Sequence, residues 1–128
     1  MIEAYFEKLL HTISASLVVR TRNVTFDQRS SSIGFIGGDI YFVDGSLLHF
    51  RELVNLQLTD ERVMYAYHYQ GKAQRLIFRY DNTAHFPNLL NAPHHKHIGE
   101  EQVIGVEGEI PNLGEILREI EALIEITT

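Results

Sequence analysis

The hydrophobic period of this chain changes twice, and that double change limits its fold class more tightly than any single motif. Ile2, Tyr5, Phe6, Leu9, Leu10, Ile13 and Leu17 recur at helical spacing, which predicts an amphipathic helix with one buried face. From about Leu17 the period becomes that of a strand. Val18, Arg20, Arg22, Val24 and Phe26 alternate with Val19, Thr21, Asn23 and Thr25. Further strands are expected over 33–43, 46–56, 62–70 and 73–81. Asp44-Gly45 turns the second into the third, because both residues tolerate the positive φ of a tight hairpin. Gly71-Lys72 turns the fourth into the fifth. The segment 82–98 is irregular, with Pro87 and Pro93, and 102–106 reads as a short edge strand. Pro111 then suits the first turn of a second helix, where its missing N–H is not needed. Leu113, Ile116, Leu117, Ile120, Leu123 and Ile124 form its apolar stripe, while Glu115, Glu119, Glu121 and Glu125 face water. The expectation is a single α+β domain over 1–128. An antiparallel β-sheet of about five or six strands has N-terminal and C-terminal amphipathic helices over one face and leaves the other partly open.

Composition narrows the function classes. The chain has 128 residues, which suits one domain. It has no cysteine, which excludes disulfides and thiolate metal sites and fits a reducing compartment. Glu3 and Glu7 interrupt the N-terminal apolar residues, unlike a signal peptide. No stretch approaches the roughly 18–20 apolar residues of a membrane span. A cytoplasmic location without membrane contact is expected.

The net charge of −6 argues against a nucleic-acid binder when the chain is taken whole. Its distribution argues otherwise. Between Arg62 and His97 the basic residues are Arg62, Lys72, Arg75, Arg79 and Lys96, and the one acid is Asp81. The same segment holds His68, His85, His94, His95 and His97, leaving only His11 and His49 elsewhere, which read as structural. Two readings stay open: the cations hold an anion such as phosphate, or they pair with surface acids.

A hairpin closed at Gly71-Lys72 sets His68 opposite Arg75 and Met64 opposite Arg79. It separates a face of Tyr65, Tyr67, Tyr69, Phe78 and Tyr80 from a face of His68, Arg75, Arg79 and Asp81. Guanidinium groups match phosphate oxygens, and imidazoles give and take protons near neutrality. Metal-free cleavage of RNA needs that set: a base, an acid and a cation. The plain alternative is an Arg79–Asp81 salt bridge on a solvated sheet. In Pro-His-His-Lys-His, 93–97, His95 and His97 share a side if the segment is extended, and His85 can approach from the preceding loop. Three imidazoles there suit zinc, proton transfer or phosphate binding; a histidine-rich surface loop is the bland reading.

Tyr-Ala-Tyr-His-Tyr-Gln (65–70), Leu-Ile-Phe-Arg-Tyr-Asp-Asn (76–82), His85 and Pro-His-His-Lys-His-Ile (93–98) together resemble the TumE family of toxin–antitoxin proteins, from roughly Gly34 onward. Phe86 stands where many relatives carry a second histidine. The resemblance implies a toxin with a cognate helix-turn-helix antitoxin as partner, and it carries Arg79, Tyr80, Asp81, Asn82, His85, His94, His95 and His97 into the site. At the level of fold, a helix followed by a small antiparallel sheet is similar to the barnase/RelE-like ribonuclease toxins.

The leading expectation is a metal-independent ribonuclease toxin without a cofactor. Its catalytic residues are His85, His94, His95, His97, Arg79 and Asp81. Its RNA-binding residues are Arg75, Tyr67, Tyr80, His68, Asn82 and Lys96. Arg75 and Arg79 hold phosphate, His85 and one of His94, His95 or His97 act as base and acid, and Tyr67 or Tyr80 stacks on a base. Asp81 and Asn82 orient these groups. The alternatives are a metal-dependent hydrolase with His85, His95 and His97 as ligands, and a non-catalytic module whose basic face docks an acidic partner. The oligomeric state is open, a homodimer included.

Overall fold

The structure, a computed structural model, describes residues 1–127, with side chains through Ile124. Helix α1 spans Ile2–Ser14. Seven strands follow: β1 Val19–Gln28, β2 Ile33–Phe42, β3 Leu47–Asn55, β4 Arg62–Gln70, β5 Leu76–Asp81, β6 His95–Ile98 and β7 Gln102–Gly105. Helix α2 spans Leu113–Thr127. The strands lie in one sheet in chain order, each antiparallel to its neighbours. The architecture is the expected α+β arrangement, with more strands than anticipated.

Both helices cover one face. Ile2, Phe6, Leu9 and Ile13 of α1 are buried, as are Leu113, Ile116, Leu117, Ile120 and Ile124 of α2. They pack on the inward residues of the central strands, among them Ile40, Leu48, Phe50, Tyr67, Tyr69 and Phe78. Each such side chain contributes roughly 1.5–3 kcal/mol when taken out of water. Leu17 departs from the expected apolar stripe. The helix ends at Ser14, and Leu17 is 95% exposed. Glu119 departs from the expected outward face by reaching back to Tyr80 and Lys96. The orientation expected of Glu125 lies outside the described side chains.

Asn112 starts α2 as a reciprocal cap: its Oδ1 accepts from the Glu115 N–H at 2.9 Å, and Glu115 Oε1 accepts from the Asn112 N–H at 3.2 Å. The chain reverses at Asp44-Gly45 as expected, but through a three-residue loop over 43–45: Phe42 pairs with Ser46, and Gly45, at φ 86°, takes the positive φ while Asp44 does not. The strand β2 runs unbroken through Gly37-Gly38 because a side chain is missing where two backbones meet. Gly38 has φ 154°, and a Cβ there would lie 2.0 Å from the Asn23 carbonyl oxygen. Gly38→Ala is therefore expected to lower stability by about 3 kcal/mol, read as a reduced urea midpoint.

The β4–β5 hairpin differs from the predicted one. Gly71 to Arg75 form a wider loop, closed by the Gly71 N–H on the Arg75 carbonyl at 3.0 Å, with Gln74 at φ 65°. His68 therefore faces Arg79, and Arg75 lies outside the strand. The displacement over most of the pairing is an even number of residues, so the side chains keep their faces. Tyr67 pairs with Tyr80 and Tyr69 with Phe78 toward the helices.

Candidate functional site

The site is built on the uncovered face by β4, β5 and β6. Antiparallel pairing sets His68 beside Arg79, and Arg79 beside His97. The next inward position on the same face pairs Asp81 with His95. The segment read as irregular supplies β6. Its four residues are mostly polar and carry no apolar alternation, so pairing on both sides, not local propensity, makes it a strand.

Arg79 is held by two bonds. Its Nε donates to Asp81 Oδ2 at 2.8 Å, and its Nη1 lies 3.1 Å from His68 Nδ1. A guanidinium can only donate, so Nδ1 of His68 is the acceptor. Among the described residues no bond engages Nη2 of Arg79, and this side chain is 27% exposed. Asp81 is buried and serves as the hub. Its Oδ1 accepts from the Thr83 N–H at 3.0 Å and from the Thr83 hydroxyl at 2.9 Å. Burial pushes the Asp81 carboxyl upward, but the bonds from Arg79 and Thr83 outweigh it and hold it below its ordinary value. His95 is 1% exposed, with Nε2 at 2.9 Å from Asp81 Oδ1 and Nδ1 at 3.0 Å from the Pro93 carbonyl oxygen. Burial, then the Arg79 charge, lowers His68; burial, then His95, lowers His97. The Phe86 ring lies edge-on to both His95 and His97, with centroids at 4.9 and 5.9 Å.

His68, Arg79, Asp81, His95 and His97 thus form one cluster. The other expected residues are placed elsewhere. His85 is exposed on the loop beside Phe86, at the rim. His94 turns to the helix side, where its Nδ1 is 2.8 Å from the Tyr65 hydroxyl and its ring stacks on Tyr65. Lys96 points the same way, bonded to Glu119 at 3.0 Å and lying 4.7 Å from the centre of the Tyr80 ring. Tyr67 is fully buried and Tyr80 is 8% exposed, so neither offers a ring face to a nucleobase. Asn82 ties β5 to β4, accepting from the Tyr65 N–H and donating to the Val63 carbonyl, both at 3.1 Å. Arg75 lies in the hairpin loop and borders a depression with Ile98 to Gln102. The potential ligand atoms that gather are those of Asp81, His95 and His97; His85 is not among them.

Thr83, Phe86 and the Pro93 carbonyl shape the cluster without having been foreseen. An Asp followed two residues later by Thr is a local turn signal, which could have pointed to Thr83. The contacts of Phe86 and Pro93 depend on where β6 pairs.

On the helix side lies a second polar group. Glu52 is 1% exposed, although it sits on an inward position of β3. It accepts from the Tyr5 hydroxyl and, at 2.5 Å, from the Tyr67 hydroxyl. Arg62 donates to Tyr67 Oη at 2.9 Å and to the carbonyls of Pro111 and Ile110 at 2.6 and 3.1 Å. Burial, then Glu52, pushes both tyrosine hydroxyls well above their ordinary range.

These features define a class: a small α+β protein whose bare sheet face presents a braced guanidinium among imidazoles. A family model described as Toxin TumE matches residues 6–124, and the chain belongs to that family. Membership makes it a toxin component of a toxin–antitoxin system and implies an antitoxin partner. Neither the curated proteins nor the solved structures contain a significant match to it. Among the described residues, no helix is long and apolar enough to cross a membrane.

Proposed function

We propose that this toxin cleaves RNA on its open sheet face by metal-independent general acid–base catalysis. The observation that carries the reading is Arg79, fixed between Asp81 and His68 with Nη2 unengaged and His97 across the strand pair. A guanidinium so braced binds a phosphodiester without having to be ordered at the moment of reaction. His97 takes the proton of the RNA 2′-hydroxyl, and the 2′-oxygen attacks phosphorus. His85, exposed at the rim, gives a proton to the departing 5′-oxygen. The P–O5′ bond breaks, leaving a 2′,3′-cyclic phosphate and a 5′-hydroxyl. Asp81 is a positioning residue, acting through Arg79 and His95.

The test is expression without the neighbouring antitoxin, followed by incubation of purified protein with end-labelled RNA in the presence of a chelator. Growth arrest relieved by the co-expressed neighbour, with cyclic-phosphate ends on the cleaved RNA, is the expected result. Growth arrest with intact RNA would overturn the ribonuclease reading. Normal growth at confirmed soluble expression would overturn the toxic activity itself.

A further inference from the structure

His95 has one ring nitrogen that the protein alone does not satisfy. Its Nδ1 faces the Pro93 carbonyl oxygen at 3.0 Å, and two acceptors do not approach that closely, so Nδ1 carries a proton. In the neutral ring, Nε2 then bears a lone pair. This atom is buried and has no hydrogen-bond partner. It nevertheless lies 2.9 Å from Asp81 Oδ1, outside hydrogen-bond geometry. By the same distance argument a cation must lie between Nε2 and the buried carboxylate oxygen, either a second ring proton or a metal ion, and the geometry at Nε2 does not fit a hydrogen bond. One ligand atom from His97 completes the group, and the three atoms lie within 4.8 Å of one another.

We infer that Asp81, His95 and His97 bind a divalent transition-metal ion of the zinc class. Two imidazole nitrogens and one carboxylate oxygen suit Zn²⁺, Co²⁺ or Ni²⁺, whereas Mg²⁺ and Ca²⁺ prefer all-oxygen shells. The supporting shell is in place. Pro93 orients His95, and Arg79 with Thr83 orients Asp81, as outer partners commonly do for metal ligands. Arg79 uses Oδ2 of Asp81; Oδ1, which also accepts from the Thr83 N–H and hydroxyl, is the oxygen that faces His95 Nε2. Coordination consumes the His97 lone pair. The ion therefore switches the toxin off, a consequence that rests on the proposed role of His97 as base.

The experiment titrates chelator-stripped protein with Zn²⁺ against a chromophoric competitor, records the visible spectrum with Co²⁺, and measures RNA cleavage separately. One equivalent bound with a Kd of about 1 μM or tighter is expected. His97→Ala should weaken it at least ~10-fold, and the Co²⁺ protein should show the absorption of a low-coordinate site. Asp81 and His95 are buried, so His97→Ala is the informative variant, with its fold checked by circular dichroism. His94→Ala, on the opposite face, should bind as the parent does. Absence of saturable binding, or binding unaffected by His97→Ala, overturns the site, whatever the RNA assay gives. Tight binding with cleavage falling as the ion loads supports the switch. Tight binding with cleavage unchanged or increased overturns the switch while leaving the site.

Discussion

Arg79→Ala is expected to lower RNA cleavage about 10²–10³-fold and to abolish growth arrest, while the protein stays folded. Removing this side chain takes away the cation that faces the phosphate. It also releases Asp81 Oδ2 and His68 Nδ1, which it bridges at 2.8 and 3.1 Å. Arg79→Lys keeps the charge but cannot reproduce a fork that donates to both partners and to a phosphate. It should therefore recover only a small part of the activity. Cleavage rates measured on the two variants, beside their thermal melts, check this. Parental cleavage by the alanine variant would remove Arg79 from the site.

Glu52→Ala is expected to produce the largest loss of stability, about 3–5 kcal/mol. The carboxylate accepts two hydroxyls, from Tyr5 and Tyr67, in a position with almost no access to water. Its loss orphans the Tyr5 hydroxyl and removes a carboxylate whose charge supports Arg62, the residue that braces the chain entering α2. Native domains are stable by only about 5–15 kcal/mol, so this loss should be visible as a large fall in the urea midpoint. Glu52→Gln, which keeps one acceptor, should lose less. A midpoint equal to the parent's would show that the Glu52 network does not stabilise the packing of α1, the sheet and the approach to α2.

Much of this fold could be read from the chain because its strongest signals are local. Asp44-Gly45 and the helical stripes of α1 and α2 need only neighbouring residues to act. The face on which Arg79 and His68 meet was legible too, even with the hairpin loop misjudged, since an even shift preserves the side of the sheet. β6 was not legible, because His95–Ile98 becomes a strand only when β5 and β7 pair with it on either side. That is why the proximity of Asp81 to His95 and the turning away of His94 and Lys96 lay beyond the sequence. Glu52 was a different case. A carboxylate at an inward step of an alternating strand is itself a sign of a buried partner, but the partners Tyr5 and Tyr67 come from separate elements.

The sheet is ordered β1 to β7 without a crossover. Every strand after β1 therefore pairs with the strand that precedes it in the chain, and the closing excursions are short except for residues 82–94 between β5 and β6. Such a topology can assemble by successive hairpin addition, with no early contact needed between distant segments. The cluster spans three consecutive strands, β4 to β6, so it is complete only once the 82–94 connection has closed and β6 has paired with β5. Nothing in β1 to β3 supplies any of its members. The proposed chemistry thus depends on a four-residue strand, β6, that is held in place only by its neighbours β5 and β7.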